Sequence, residues 1–115
     1  MMTYIKPEIV PWEIRVAHVY FEENPKKGMI HPVLTINVDY DVVQVLQITS
    51  KSDSTKFPKV KIHDWIDLGL KKESWLKLKP AYGIKIEKFS PNLVGLPDQW
   101  LVDYVKNWML QNPMD

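Results

Sequence analysis

Between Val10 and Phe21 the chain alternates in character. Trp12, Ile14, Val16, His18 and Tyr20 fall on one side, and Glu13, Arg15, Ala17, Val19 and Phe21 on the other. That pattern predicts a strand with one richly apolar face and one mixed face. The polar run EENPKKG after it reads as a loop. Leu34, Ile36, Val38 and Tyr40 then alternate with Thr35, Asn37 and Asp39, and Pro32 restrains His31 to an extended backbone, so His31-Pro32 marks the start of a second strand. A tight turn at Asp41 leads into VVQVLQIT, which ends at Thr49 and Ser50. Two strand patterns joined so closely predict an antiparallel hairpin.

The segment KSDSTKFPK is a second polar loop, KVKI a short strand, and HDWIDLGL a single helical turn or short 3₁₀ segment ending at Gly69. Short strands follow at SWLKL and at YGIKIEKF. In the closing PDQWLVDYVKNWML, the positions Trp100, Leu101, Tyr104, Val105, Trp108 and Met109 make one continuous stripe on a helix, and Pro97 and Asp98 suit its opening turn. Short antiparallel strands closed by one amphipathic helix predict a mainly β domain, 1–115, in which the sheet curls into a small barrel so that its edges are not left unpaired.

Length and composition fit that picture. A chain of 115 residues is of ordinary single-domain size, and its five Trp and three Phe supply a core without a covalent staple. The absence of cysteine excludes a disulfide framework and a Cys-based zinc site. No apolar stretch has the form of a signal-peptide core or the length of a membrane span, so a cytoplasmic location is expected. The formal net charge of +1 conceals an asymmetry: residues 51–90 carry ten basic and five acidic groups, whereas both flanking segments are net acidic. Arg15 is the only arginine, so the basic middle is all lysine. Such a stripe is either a solvated surface or a sequence-blind attractor of phosphate.

Most motifs of enzymatic chemistry are missing. There is no Gly-rich phosphate loop, HExxH or GxSxG, and His18, His31 and His63 are too widely spaced to form a local ligand set, so no metal or other cofactor is expected. Two polar pairs remain, His31-Pro32 and Thr49-Ser50. In the predicted hairpin they lie near the same end of the sheet, where an imidazole could exchange a proton and a hydroxyl could hold a phosphate oxygen. A strand-capping histidine and a Thr-Ser turn are the alternative.

The runs KKGMIHPVLTI, VVQVLQITS, FPKVKI, GLKKESWLKL and YGIKIEKFSPNLVGLPDQWLVDYV, in that order from about Val10 to Leu110, resemble the PemK/MazF family of bacterial toxins, the endoribonucleases of toxin–antitoxin pairs. The resemblance implies an SH3-like barrel, a homodimer, a cognate antitoxin, and cleavage of single-stranded RNA without a metal through attack of the 2′-hydroxyl. It implies a catalytic role for the residue at the start of the second strand and for Thr49, with Ser50 beside it. Charge alone adds Lys27, Lys51, Lys77 and Lys79 as RNA contacts. The match departs from the family at one point: the usual Gly-x-x-Arg-Pro-Val is here Gly28-Met29-Ile30-His31-Pro32-Val33. Histidine replaces a permanent donor fork with a titratable ring, which either converts the site to acid–base catalysis or leaves a non-catalytic module that binds RNA or protein.

Overall fold

In the computed structural model the described residues are 8–19, 29–50 and 57–113. They form seven strands, β1 (Ile14–Val19), β2 (Met29–Asp39), β3 (Val42–Thr49), β4 (Lys59–Ile62), β5 (Ser74–Lys77), β6 (Tyr82–Lys85) and β7 (Phe89–Gly95), and one helix, α1 (Gln99–Gln111). A single 3₁₀ turn, Ile86–Lys88, separates β6 from β7. Residues 63–69 make successive hydrogen-bonded turns rather than a regular helix, closed by Gly69 at φ 78°, a conformation that glycine adopts without a Cβ clash.

The predicted hairpin is present. β2 and β3 pair antiparallel from Asp39↔Val42 to Val33↔Gln47 around the two-residue turn Tyr40-Asp41. β3 then changes neighbour along its other edge: Val42–Val45 pair with β6, whereas Ile48 and Thr49 pair with β5. β5 continues to β4, while β2 continues through β1 to β7, and every pairing is antiparallel.

The strand order β4-β5-β3-β2-β1-β7 does not close, which corrects the expectation of an SH3-like barrel. Two features explain why closure is unnecessary. The edges are unattractive for pairing, because β4 is only four residues long and carries Lys59 and Lys61, and β7 contains Pro91, which has no amide to donate. Burial comes from layering instead. Ile14, Leu34 and Leu46 lie side by side on one face and pack with Leu101 and Val105 of α1. The other face carries a second cluster of Ala17, Val19, Val33, Val43 and Val45 with Ile84, Ile86 and Phe89.

Burial on both faces revises two further expectations. In β1 the mixed side is the more deeply enclosed, with Arg15, Ala17 and Val19 buried and His18 exposed; Tyr20 and Phe21 lie outside the described residues. On α1 the buried line is Leu101, Val102 and Val105, with Trp108 and Met109 half-buried and Trp100 and Tyr104 at the exposed margin. Asp98 is the N-cap, and its carboxylate accepts from the Leu101 amide at 2.8 Å.

Candidate functional site

β-sheet register decides which side chains share a face. Residues directly opposite in an antiparallel pair project together, and alternate residues along one strand do the same. Val33 stands opposite Gln47, so His31, two residues before Val33, and Thr49, two residues after Gln47, project from that same face. The paired ladder ends at Val33↔Gln47, and continuing its register by two residues sets His31 level with Thr49. On its other side His31 is opposite Ala17, whose small side chain is buried beside the imidazole. Both His31 and Thr49 are half-buried.

The same face extends outward across β5 and β4. Thr49 is opposite Trp75 and Trp75 is opposite Lys61, while Lys77 is opposite Lys59. Two rows result. The first reads Ala17, His31, Thr49, Trp75, Lys61, and the second, with the β3–β5 register continued one pair beyond Ile48↔Leu76, reads Arg15, Val33, Gln47, Lys77, Lys59. Neither core cluster contains a residue from this face of β4 or β5, whereas Val60, Ile62 and Leu76 behind it are all core.

The second row is the more enclosed. Lys77 is only 7% exposed, and its ammonium lies 4.9 Å from the centroid of the Phe57 ring, a cation–π contact that helps to hold a charge away from bulk water. Gln47 is 5% exposed, and its Oε1 is buried without a hydrogen-bond partner among the described residues. At the edge, Lys61 Nζ lies 2.9 Å from Glu73 Oε2, in a pair whose side chains are 41% and 51% exposed. Such a pair is screened by solvent and its charges are free to exchange partners at little cost.

Of the residues singled out in the sequence, His31, Thr49 and Lys77 therefore share one face. Ser50 is exposed just past the end of β3, and Lys79 is exposed two residues past β5. Lys27 and Lys51 lie outside the described residues. Trp75, Lys61, Lys59 and Gln47 escaped the sequence reading. The alternation in KVKI and SWLK does separate Lys59 and Lys61 from Val60 and Ile62, and Trp75 from Leu76, yet only the pairing of β3, β4 and β5 sets them in rows with Thr49 and Gln47. Arg15 is not a candidate for phosphate binding, because it is 5% exposed and its guanidinium is committed to Glu13 and to the carbonyls of Pro91 and Glu8.

Two other features stand apart from these rows. A cleft of about 270 Å³ lined by His18, Val19, Tyr82, Ile84, Lys85 and Lys88 shares no residue with them. Among the described residues no three His, Asp or Glu side chains gather as metal ligands, and no helix is long and apolar enough to cross a membrane. His63 packs edge-on to Trp100 with ring centroids 5.4 Å apart. No protein-family model matches the chain, and no characterised protein is significantly similar to it.

Proposed function

We propose that this protein is an endoribonuclease of the PemK/MazF type, acting on single-stranded RNA in the cytoplasm without a metal, as a homodimer controlled by an antitoxin. The observation that carries the reading is that His31, two residues before Val33, and Thr49, two residues after its partner Gln47, project from one face of the β2–β3 pair, a face that continues across β5 and β4. The imidazole is the acid or the base: it takes the proton from the 2′-hydroxyl as that oxygen attacks the adjacent phosphorus, or gives one to the departing 5′-oxygen, with water carrying the other proton. The products are a cyclic phosphate and a 5′-hydroxyl. The Thr49 hydroxyl donates to a non-bridging oxygen, and the charge of Lys77, in the next row, favours the negative charge that develops on the phosphoryl group. Single-stranded RNA suits a sheet face because its bases are free to leave the stack.

The test is incubation of the purified protein with mixed-sequence RNA in the presence of a chelator, followed by mapping of 5′ ends. Cleavage by wild type with a rate that varies with pH across the imidazole range, and its loss in His31→Ala without loss of folding, is the expected result. Wild-type cleavage unaffected by His31→Ala ends the case for this histidine. Activity that appears only in His31→Arg means that histidine has silenced the site. RNA binding with no cleavage by either protein between about pH 5 and 9 assigns the chain to the non-catalytic binding reading. Light scattering at micromolar concentration that finds only a 13.5 kDa species removes the dimer.

A further inference from the structure

Neither Trp75 nor Lys61 enters the chemistry above, yet both stand on the row that carries it. His31, Thr49, Trp75 and Lys61 occupy the consecutive strands β2, β3, β5 and β4. With neighbouring strands about 4.8 Å apart, the row measures roughly 14 Å across the sheet. All four side chains are half-buried, while Ile48, Leu76, Val60 and Ile62 on the reverse are buried. The row thus presents an imidazole, a hydroxyl, an indole and an ammonium in succession. A single nucleic-acid strand presents a matching alternation of phosphate and base, and an indole face stacks on any base.

We propose that Trp75 and Lys61 form a second nucleotide subsite, in which the base next to the cleaved phosphate stacks on Trp75 and the following phosphate is held by Lys61. The RNA then crosses β3, β5 and β4 at a steep angle to the strands instead of lying along them. Glu73 is the competitor for Lys61 when RNA is absent, and the exposure of their ion pair allows the exchange. The subsite rests on the reading of His31 and Thr49 as the cleavage centre, and its experiment separates the two.

Binding is measured by fluorescence anisotropy with a labelled 2′-O-methyl oligoribonucleotide of mixed sequence, which lacks the attacking hydroxyl. Trp75→Ala weakens binding by about tenfold or more, and Trp75→Phe restores most of it, because a smaller ring still offers a stacking face. Lys61→Ala lowers the dependence of log affinity on log salt by about 0.7. Glu73→Gln tightens binding by releasing Lys61. A lysine that matters only as the structural partner of Glu73 predicts the opposite, a Glu73→Gln protein that behaves like Lys61→Ala. In cleavage of ordinary RNA, Trp75→Ala raises KM and leaves kcat nearly unchanged. Wild-type affinity in Trp75→Ala, or weakened binding in Glu73→Gln, overturns the subsite while leaving the cleavage centre standing. Retained cleavage in His31→Ala together with lost affinity in Trp75→Ala overturns the cleavage centre and leaves the subsite. Circular dichroism checks folding of each variant, and Glu73→Gln, which keeps size and shape, decides the matter if Trp75→Ala does not fold.

Discussion

Arg15 donates through Nε to Glu13 Oε1 at 3.1 Å, through one terminal nitrogen to Pro91 O at 3.2 Å, and through the other to Glu8 O at 2.9 Å. The ion pair is almost wholly removed from water, with side-chain exposures of 6% and 11%. Replacing only the cation, as in Arg15→Met, leaves a buried carboxylate uncompensated and should cost about 3–5 kcal/mol. The double change Arg15→Met/Glu13→Gln should cost less than the two single changes added together, and urea melts of the three variants measure the coupling. Thr35 works at similar depth, since its fully buried hydroxyl accepts from the Glu13 amide and donates to Val10 O. Thr35→Val should therefore lose about 1–3 kcal/mol despite its equal size. A Cβ at Gly95 would stand 2.8 Å from Leu68 Cδ2, inside the core that Leu68 shares with Ile62 and Leu101, so Gly95→Ala should lose about 1–3 kcal/mol in the same assay.

Helix α1 offers an internal comparison. Leu101 is 2% exposed and Trp100, its neighbour, is 51% exposed, so Leu101→Ala should cost about 2–5 kcal/mol and Trp100→Ala far less, although Trp100 is the larger residue. Trp108 is half-buried and should fall below the roughly 3–5 kcal/mol of a fully enclosed tryptophan. The helix was legible in the sequence because its 3.6-residue period is local; Pro97 and Asp98, read as its opening turn, instead precede it, with Asp98 as the N-cap. The rotation of the helix was not legible, since a six-residue apolar stripe is wider than the strip of sheet beneath it. The same distinction runs through the strands. The β2–β3 hairpin was legible because alternation and turn are contiguous, whereas β7 was hidden by Pro91, which is tolerated only because that strand is an edge. The burial of Glu13, Arg15 and Lys77 was invisible because their partners, Thr35, Pro91 and Phe57, lie far along the chain. His31 and Thr49 could be brought near one another from the hairpin alone, but the row that continues them to Trp75 and Lys61 depends on β3 exchanging β6 for β5 partway along its length.

At the scale of the whole molecule, one sheet separates two apolar clusters, and β1, β2 and β3 contribute to both. Leu101→Ala on one side and Phe89→Ala on the other should therefore each lower a single cooperative transition, with tryptophan fluorescence and far-ultraviolet circular dichroism coincident in both variants. Separate transitions would show that the layers unfold independently. The burial of Arg15 has a further consequence at this scale. Of the 15 Lys and Arg residues, the one guanidinium is enclosed and all the others are amines. The positive charge that the folded molecule presents is therefore entirely acylable: a guanidinium-selective reagent such as phenylglyoxal should leave it unchanged, whereas mild acetylation should discharge it step by step. An enzyme that transfers acetyl groups to lysine would hold the same lever over any polyanion that this surface attracts.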